Sequence, residues 1–134
     1  VLLASWRDWR LLLTGDVGEA AERALVTGFG GRLAAPILKV GHHGSRGSST
    51  AELLERVSPR LALVSAGRRN VYGHPAPEAL ARLRASGASV WRTDLGGQVR
   101  IRLRPDALIV DHPWWDATAG PVTYNAPERP PWGE

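Results

Sequence analysis

Three short apolar stretches constrain the fold of this chain more than any other feature. Residues 11–13, 36–40 and 61–65 are continuously apolar or nearly so, which is typical of strands that are buried on both faces. Residues 19–27 and 49–57 lie between them and carry the apolar spacing of helices. This alternation predicts an α/β layered fold with a mixed β-sheet, parallel at its centre and antiparallel at its edges, and helices on one face.

The flanking segments predict how the sheet begins and how the chain ends. Residues 1–6 and 10–14 read as one hairpin, and residues 89–92 and 98–103 read as a second. A third helix is expected to start at Pro77, because proline suits the first helical turn. We expect one domain over residues 1–104 and a Pro/Trp-rich tail over 105–134. That tail is predicted to be extended, docked in part through Trp114, Trp115 or Tyr124, and disordered near Glu134.

Composition excludes several classes of protein. The chain has no cysteine, so disulfides, thiol nucleophiles and thiolate metal sites are excluded. No apolar run reaches the roughly 18 residues of a membrane helix. The chain has no methionine and begins at Val1, which suggests a piece of a longer product. The net charge of +4 comes almost wholly from arginine, a pattern that either a polyanionic partner or genomic base composition explains.

Four polar side chains follow the predicted strands and form the candidate site. Asp16, His42, His43 and His74 each lie just after a strand or in the loop that follows it. The carboxyl ends of parallel strands meet at one edge of a sheet, where ligands gather. A carboxylate with imidazoles suits Zn²⁺, Mn²⁺ or Fe²⁺ better than Ca²⁺ or Mg²⁺.

Each of these residues also has a structural interpretation. Asp16 could cap the helix that follows it, and a histidine in a loop is usually polar surface. Consecutive side chains on an extended backbone point in opposite directions, so only one of His42 and His43 is expected to face a metal. The other histidine would bind substrate, donate a proton or hydrogen-bond into the sheet. His74 precedes Pro75 and is expected to be extended.

The surrounding loops supply candidate substrate contacts. Small side chains, hydroxyls and free N–H groups near the histidine pair could cradle a phosphate. Two polar residues before His74 could hydrogen-bond a substrate oxygen, and two arginines in the same loop could contact phosphates or simply be solvated. These candidates are, in chain order, Gly44, Ser45, Ser48, Arg68, Arg69, Asn70 and Tyr72.

Taken together, these motifs resemble a known family. Residues 12–16, 38–45, 65–67 and 70–75, in this order and spacing, are similar to the metallo-β-lactamase-like domain of ComEC-type competence proteins. The resemblance covers about residues 1–104. It implies the C-terminal half of a four-layer αββα sandwich, in the soluble domain of a bacterial inner-membrane protein, on its extracytoplasmic side. The implied activity is a metal-dependent nuclease that degrades one DNA strand during DNA uptake.

The resemblance also implies roles for the candidate residues. The complete domain would hold two Zn or Mn ions, with Asp16 as the bridging carboxylate and His42 as a ligand of the second ion. His43 and His74 would be catalytic, as proton donor or phosphate contact, or further ligands. Two alternatives remain: a phosphodiesterase or esterase of this fold unrelated to DNA uptake, and a non-catalytic DNA-binding or interaction module.

One departure from the family pattern limits what this chain can do. The first metal motif, a His-x-(His/Asp)-x-Asp-His cluster, has no counterpart in the sequence. The four candidate donors are too few for two ions, so the isolated chain is expected to be inactive. The expected partners are DNA and the missing N-terminal half of the domain. Without that half, an exposed apolar sheet face is expected to favour a homodimer.

Overall fold

A computed structural model describes residues 1–111 and 121–126 and shows two sheets. The first sheet has five strands in the order β1-β2-β3-β4-β5. β1 pairs antiparallel with β2, and the three remaining pairings are parallel. The strands are β1 (Leu2–Trp6), β2 (Trp9–Leu13), β3 (Ile37–Lys39), β4 (Leu61–Val64) and β5 (Ser89–Arg92). The predicted first hairpin, the parallel centre and the mixed sheet are therefore confirmed.

Helices connect the parallel strands and cover one face of this sheet. The helices are α1 (Glu19–Phe29), α2 (Ala51–Val57), α3 (Pro77–Ala85) and a short α4 (Thr93–Gly96). α2 is capped by Thr50, whose hydroxyl accepts a hydrogen bond from the Leu53 N–H at 3.3 Å. Buried apolar residues of α1–α3 pack on Leu12, Leu38 and Ala62 of the sheet. No helix in the described part of the chain is long and apolar enough to cross a membrane.

A second sheet contradicts the predicted second hairpin. Strands β6 (Arg100–Leu103), β7 (Ala107–Asp111) and β8 (Val122–Asn125) form an antiparallel sheet of their own. β5 pairs with β4, in the parallel register Leu61↔Ser89, and β6 pairs with β7 instead of β5. α4 and Gly97, with a φ of 70°, then turn the chain towards the second sheet. The predicted boundary after residue 104 therefore falls between two paired strands.

The second sheet covers the face of the first sheet that lies opposite the helices. Trp9, Ile37 and Leu61 of the first sheet are buried together with Leu108 and Val110 of β7. These five residues form a second cluster, distinct from the one between the helices and the first sheet. The layers are thus helices, first sheet and second sheet. The expectation of an exposed apolar face is wrong, and the homodimer predicted through that face loses its physical reason.

Part of the predicted tail belongs to this second sheet. Tyr124 of β8 packs against the second cluster, and Trp9 Nε1 donates to the Arg104 carbonyl at 2.7 Å. The expectations for Trp114, Trp115 and the end of the chain lie outside the described residues.

Candidate functional site

Three loops meet at the carboxyl edge of the parallel strands and carry the predicted site residues. Asp16 follows β2, the histidine pair follows β3, and His74 lies in the loop after β4. The backbone N–H of His42 donates to the Gly15 carbonyl at 2.8 Å. The Ala76 N–H donates to the Gly44 carbonyl, also at 2.8 Å. The loop that carries the histidine pair is therefore tied to both neighbouring loops.

The histidine pair adopts an unusual backbone. His42 and His43 have φ values of 46° and 56° and form a tight turn, in place of the expected extended segment. Non-glycine residues in this left-handed region cost roughly 1–2 kcal/mol each. Both side chains are exposed at the edge of the sheet. Asp16 does not cap α1, whose N-cap is Gly18 with no side-chain hydrogen bond, so the structural interpretation of Asp16 is not supported.

His43 is oriented towards Asp16. Its Nδ1 lies 2.7 Å from the Ser65 carbonyl, which accepts only if Nδ1 carries the proton. That tautomer leaves a lone pair on Nε2, which lies 4.0 Å from Asp16 Oδ1. The gap is too long for a hydrogen bond. An ion with bonds of about 2 Å to each atom fits this gap only in a nearly linear arrangement, so the two side chains must approach each other slightly to bind a tetrahedral ion.

His42 and His74 form a separate group. The rings of His42 and His74 make an edge-to-face contact with centroids 5.9 Å apart. The Tyr72 ring stacks on His74 with centroids 6.0 Å apart and an interplanar angle of 24°. The buried Nδ1 of His74 has no hydrogen-bond partner within the described residues. The structure therefore pairs Asp16 with His43, whereas the assignment from the sequence chose His42.

The donor set of the described residues covers only part of a metal site. Across residues 1–111 and 121–126, no group of three His, Asp or Glu side chains is placed to hold an ion. Asp16 and His43 fit one side of a site, and an ion bound there needs further donors.

A cavity of about 410 Å³ opens beside His43. Thr93 fixes its floor, because the Thr93 hydroxyl donates to the Ala66 carbonyl and accepts from the Ala66 N–H, both at 2.9 Å. The same strand end provides the Ser65 carbonyl that orients His43. The cavity is lined by His43, Ser65, Ala66, Gly67, Asn70, Tyr72 and His74.

The structure places the predicted substrate contacts in different surroundings. Ser48 is buried, and its hydroxyl donates to the Ser45 carbonyl at 2.9 Å, which leaves no surface for a substrate. Gly44 is also buried, with a φ of 81°, and a Cβ added there would lie 2.7 Å from the Pro75 Cβ. Asn70 lines the cavity, but its amide is engaged within its own loop. Ser45 is partly exposed. Tyr72 is more exposed than Gly44, Ser45, Ser48 or Asn70.

Two charged residues that sequence reasoning missed, one buried and one half-buried, hold the histidine loop. Glu22 of α1 is fully buried, and its carboxylate accepts from the N–H groups of Ser49 at 2.6 Å and Thr50 at 2.8 Å. Arg82 of α3 donates to the carbonyls of Ser49 at 2.9 Å, Ser48 at 2.8 Å and Arg46. The only signal in the sequence was that each charge interrupts the buried side of a helix.

Lys39 places a positive charge beneath the site. Its ammonium donates to the Val40 carbonyl at 2.8 Å. Burial lowers the pKa of Lys39, and the negative charge of Asp16 acts in the opposite direction. The lysine thus lies within electrostatic reach of the candidate metal-binding carboxylate.

Comparison with known proteins gives this chain homologues with related names. It is 43% identical over 93 residues to Competence protein ComA of Neisseria gonorrhoeae. It is 38% identical over 93 residues to ComE operon protein 3 of Bacillus subtilis, and 34% identical over 116 residues to Recombination protein 2 of Haemophilus influenzae. These matches cover 69%, 69% and 82% of this chain. The predicted similarity of this chain to competence proteins is therefore confirmed.

The chain spans only 12–14% of the length of these relatives. No family model matches it. No solved structure matches it either.

Proposed function

We propose that this chain is part of a metal-dependent hydrolase domain of the metallo-β-lactamase type, within a protein that takes up DNA. The whole protein would degrade one DNA strand during uptake, as a nuclease. The names of the competence-protein homologues support the DNA-uptake context. In this proposal the chain is a soluble domain of a bacterial inner-membrane protein on its extracytoplasmic side, and its partners are DNA and the N-terminal half of the same domain.

The observation that carries this proposal is the pair formed by Asp16 and His43. An exposed carboxylate and an imidazole lone pair face each other across 4.0 Å, and the Ser65 carbonyl fixes the tautomer of the imidazole. A hydrogen bond from the other ring nitrogen to a carbonyl is the usual support of a metal-binding histidine. We therefore assign His43, in place of His42, as the donor that joins Asp16 in holding Zn or Mn. Asp16 would bridge two such ions in the complete domain.

The ions would supply an activated water and charge stabilisation for phosphodiester hydrolysis. The residues of this chain position the substrate and handle protons around that step. In this proposal, His42 and His74, whose rings contact each other, would donate a proton to the leaving oxygen. Arg68 and Arg69 are exposed cations that can hold the phosphates of a strand.

Metal binding by the isolated chain tests the assignment of His43. Mn²⁺ titrated into the wild-type chain should bind weakly, and the affinity should fall about tenfold or more in His43→Ala, which removes a ligand. His42→Ala should bind Mn²⁺ nearly as the wild type does. Calorimetry or paramagnetic broadening of histidine resonances measures this. Weaker binding in His42→Ala alone would restore the assignment of His42.

Nuclease assays test the need for further donors. The isolated chain should show no appreciable nuclease activity, because Asp16 and His43 are too few donors for two ions. Robust Mn²⁺-dependent cleavage by this chain, abolished in Asp16→Ala, would contradict that expectation. In the full-length protein, Asp16→Asn should cost far more activity than His112→Ala, and equal losses would contradict the site. His112 lies outside the described residues.

A non-catalytic DNA-binding module is the second candidate function. It is favoured by the absence of a three-donor group within the described ranges, together with two exposed arginines, Arg68 and Arg69, in the loop after β4. The metal content of the purified full-length protein separates the two functions. A stoichiometric metal supports the hydrolase, and its absence together with tight DNA binding supports the module.

A further inference from the structure

The loop between β4 and α3 exposes an aromatic surface next to the candidate metal pair. Tyr72 is 79% exposed and Val71 is 90% exposed, whereas most large apolar side chains of the described chain are buried. The Tyr72 ring lies nearly parallel to the His74 ring beneath it, at 24° and 6.0 Å between centroids. A large ring left in water costs hydrophobic free energy, so its exposure on a fixed support calls for a ligand.

The loop holds this ring pair in a defined position. The Asn70 amide donates to the carbonyls of Gly67 at 2.8 Å and His74 at 2.6 Å, and its oxygen accepts from the His74 N–H at 2.9 Å. Beyond His74, the Ala76 N–H donates to the Gly44 carbonyl of the histidine loop. Tyr72 is therefore presented on a closed loop that is tied to the residues around His43.

The same cavity connects the aromatic pair to the metal pair. Tyr72, His74 and His43 line one space of about 410 Å³, which is within the usual range of ligand pockets, about 300–1,000 Å³. Arg68 and Arg69 precede Tyr72 in this loop and are exposed. Neither has an ion pair within the described residues. The tyrosine ring, two exposed arginines of the same loop and the candidate metal pair are thus found at one edge of the sheet.

We propose that the stacked pair of Tyr72 and His74 is a nucleobase platform. It takes one base of a single DNA strand on the free face of Tyr72, next to the phosphate that faces Asp16 and His43. This inference rests on the proposed action on DNA and adds the subsite that holds the strand. Every base has a flat π-face, so such a platform grips a strand without selecting its sequence.

Stacking and hydrogen bonding by Tyr72 predict different results. The sequence suggested that Tyr72 hydrogen-bonds a substrate oxygen, which requires its hydroxyl. A platform requires only the ring. Tyr72→Phe keeps the ring and removes the hydroxyl, and Tyr72→Ala removes both.

Binding of labelled oligothymidylate to the full chain, measured by fluorescence anisotropy, separates these roles. Tyr72→Ala should weaken binding of a strand of about 12 nucleotides by roughly 5- to 20-fold, and Tyr72→Phe by less than about twofold. An abasic strand of equal length should bind the wild type and Tyr72→Ala equally, because it offers no base to stack. Unfolding by urea, followed in parallel, checks that the variants are folded.

The two tyrosines of the chain provide an independent measurement. In NMR spectra, the ring signals of Tyr72 should move upfield when oligothymidylate is added, because a stacked base shields them. Tyr124 packs into the second cluster and lies near the Arg60 guanidinium, so its ring signals should stay in place.

Three outcomes would overturn the proposal. Equal affinity of the wild type and Tyr72→Ala for oligothymidylate would remove the platform and leave the proposed function intact. A loss in Tyr72→Phe as large as that in Tyr72→Ala would assign the hydroxyl instead. If a folded chain bound neither oligothymidylate nor the abasic strand, both the platform and the proposed action on DNA would be removed.

Discussion

Two loops at the same edge of the sheet are built in opposite ways. The histidine loop, residues 41–50, is held from inside the protein by Glu22 and Arg82, which pair with its backbone N–H and carbonyl groups. The tyrosine loop, residues 65–76, is fixed at its ends by Thr93 and by the contact with Gly44, and its apex at Val71 and Tyr72 is exposed. In the proposed site, His43, which would bind an ion in a fixed geometry, lies on the first loop, and Tyr72, which would stack on a base, lies on the second.

This difference predicts that stability depends on the first loop and binding on the second. Substitutions of the residues that hold the histidine loop leave buried polar groups without partners, which is costly. Substitutions at the apex of the tyrosine loop remove exposed atoms and should change the free energy of unfolding by less than about 0.5 kcal/mol.

The largest expected effect is that of Glu22→Ala. Removal of the buried carboxylate leaves the N–H groups of Ser49 and Thr50 unpaired, and should lower the free energy of unfolding by about 3 kcal/mol. Urea denaturation at neutral pH measures it. Glu19→Ala, on the same helix but with an exposed ion pair to Arg23, should cost about 0.5 kcal/mol or less. Equal losses in the two variants would show that Glu22 does not hold the loop.

Two glycines with positive φ test the packing of the two loops against each other. Gly44→Ala should cost about 2–3 kcal/mol, because its φ is 81° and the new methyl group would meet the Pro75 side chain. Gly73→Ala, with a φ of 68° and open space around it, should cost only about 1 kcal/mol. Thermal unfolding of both variants checks this. A Gly73→Ala loss as large as that of Gly44→Ala would mean that the tyrosine loop is packed as tightly as its neighbour.

Arg82→Met should have a somewhat smaller effect. It removes hydrogen bonds to three carbonyls of the histidine loop and keeps the length of the side chain, so we expect a loss of about 2 kcal/mol in urea denaturation. Arg84→Met, exposed on the same helix, is the matched control and should be nearly neutral. If Arg84→Met destabilises the chain equally, the effect belongs to α3 in general.

The smallest expected effect depends on pH and concerns the base of the tyrosine loop. Arg92 donates two hydrogen bonds to Asp94, at 3.0 and 2.6 Å, and these lower the pKa of the Asp94 carboxyl. A lowered folded pKa gives stability that is present above the ordinary carboxyl pKa of about 4 and is lost as pH falls through the folded value. Asp94→Asn should therefore cost about 1 kcal/mol at pH 7 and less below pH 4.

Urea denaturation across this pH range measures the Asp94 contribution. Glu55→Gln replaces an exposed carboxylate on α2, is the matched control, and should be nearly neutral at pH 7. A constant difference between the wild type and Asp94→Asn from pH 7 to pH 3 would contradict the role of Arg92.

The sequence predicted the first sheet well because local patterns suffice there. Continuous apolar runs identify buried strands, and the helical spacing of apolar residues between them identifies α1 and α2. The prediction of the second hairpin was wrong because the turn residues at 94–97 indicate that the chain turns, but not which strand pairs with the strand after the turn. The structure answers that question by pairing β6 with β7, which follows it along the chain.

The sequence by itself determined the chemical types at the site, and the tertiary structure decided their arrangement. Asp16, His42, His43 and His74 were recognisable because parallel strands bring the residues at their carboxyl ends together. Which histidine meets Asp16 depended on the left-handed turn at His42 and His43 and on a carbonyl 22 residues away, at Ser65. The roles of the buried Glu22 and the half-buried Arg82 were equally out of reach, because a charged side chain holds a loop only through partners that are distant along the chain. Periodicity and composition are local, whereas side-chain direction and hydrogen-bond pairing are set by packing across the whole fold.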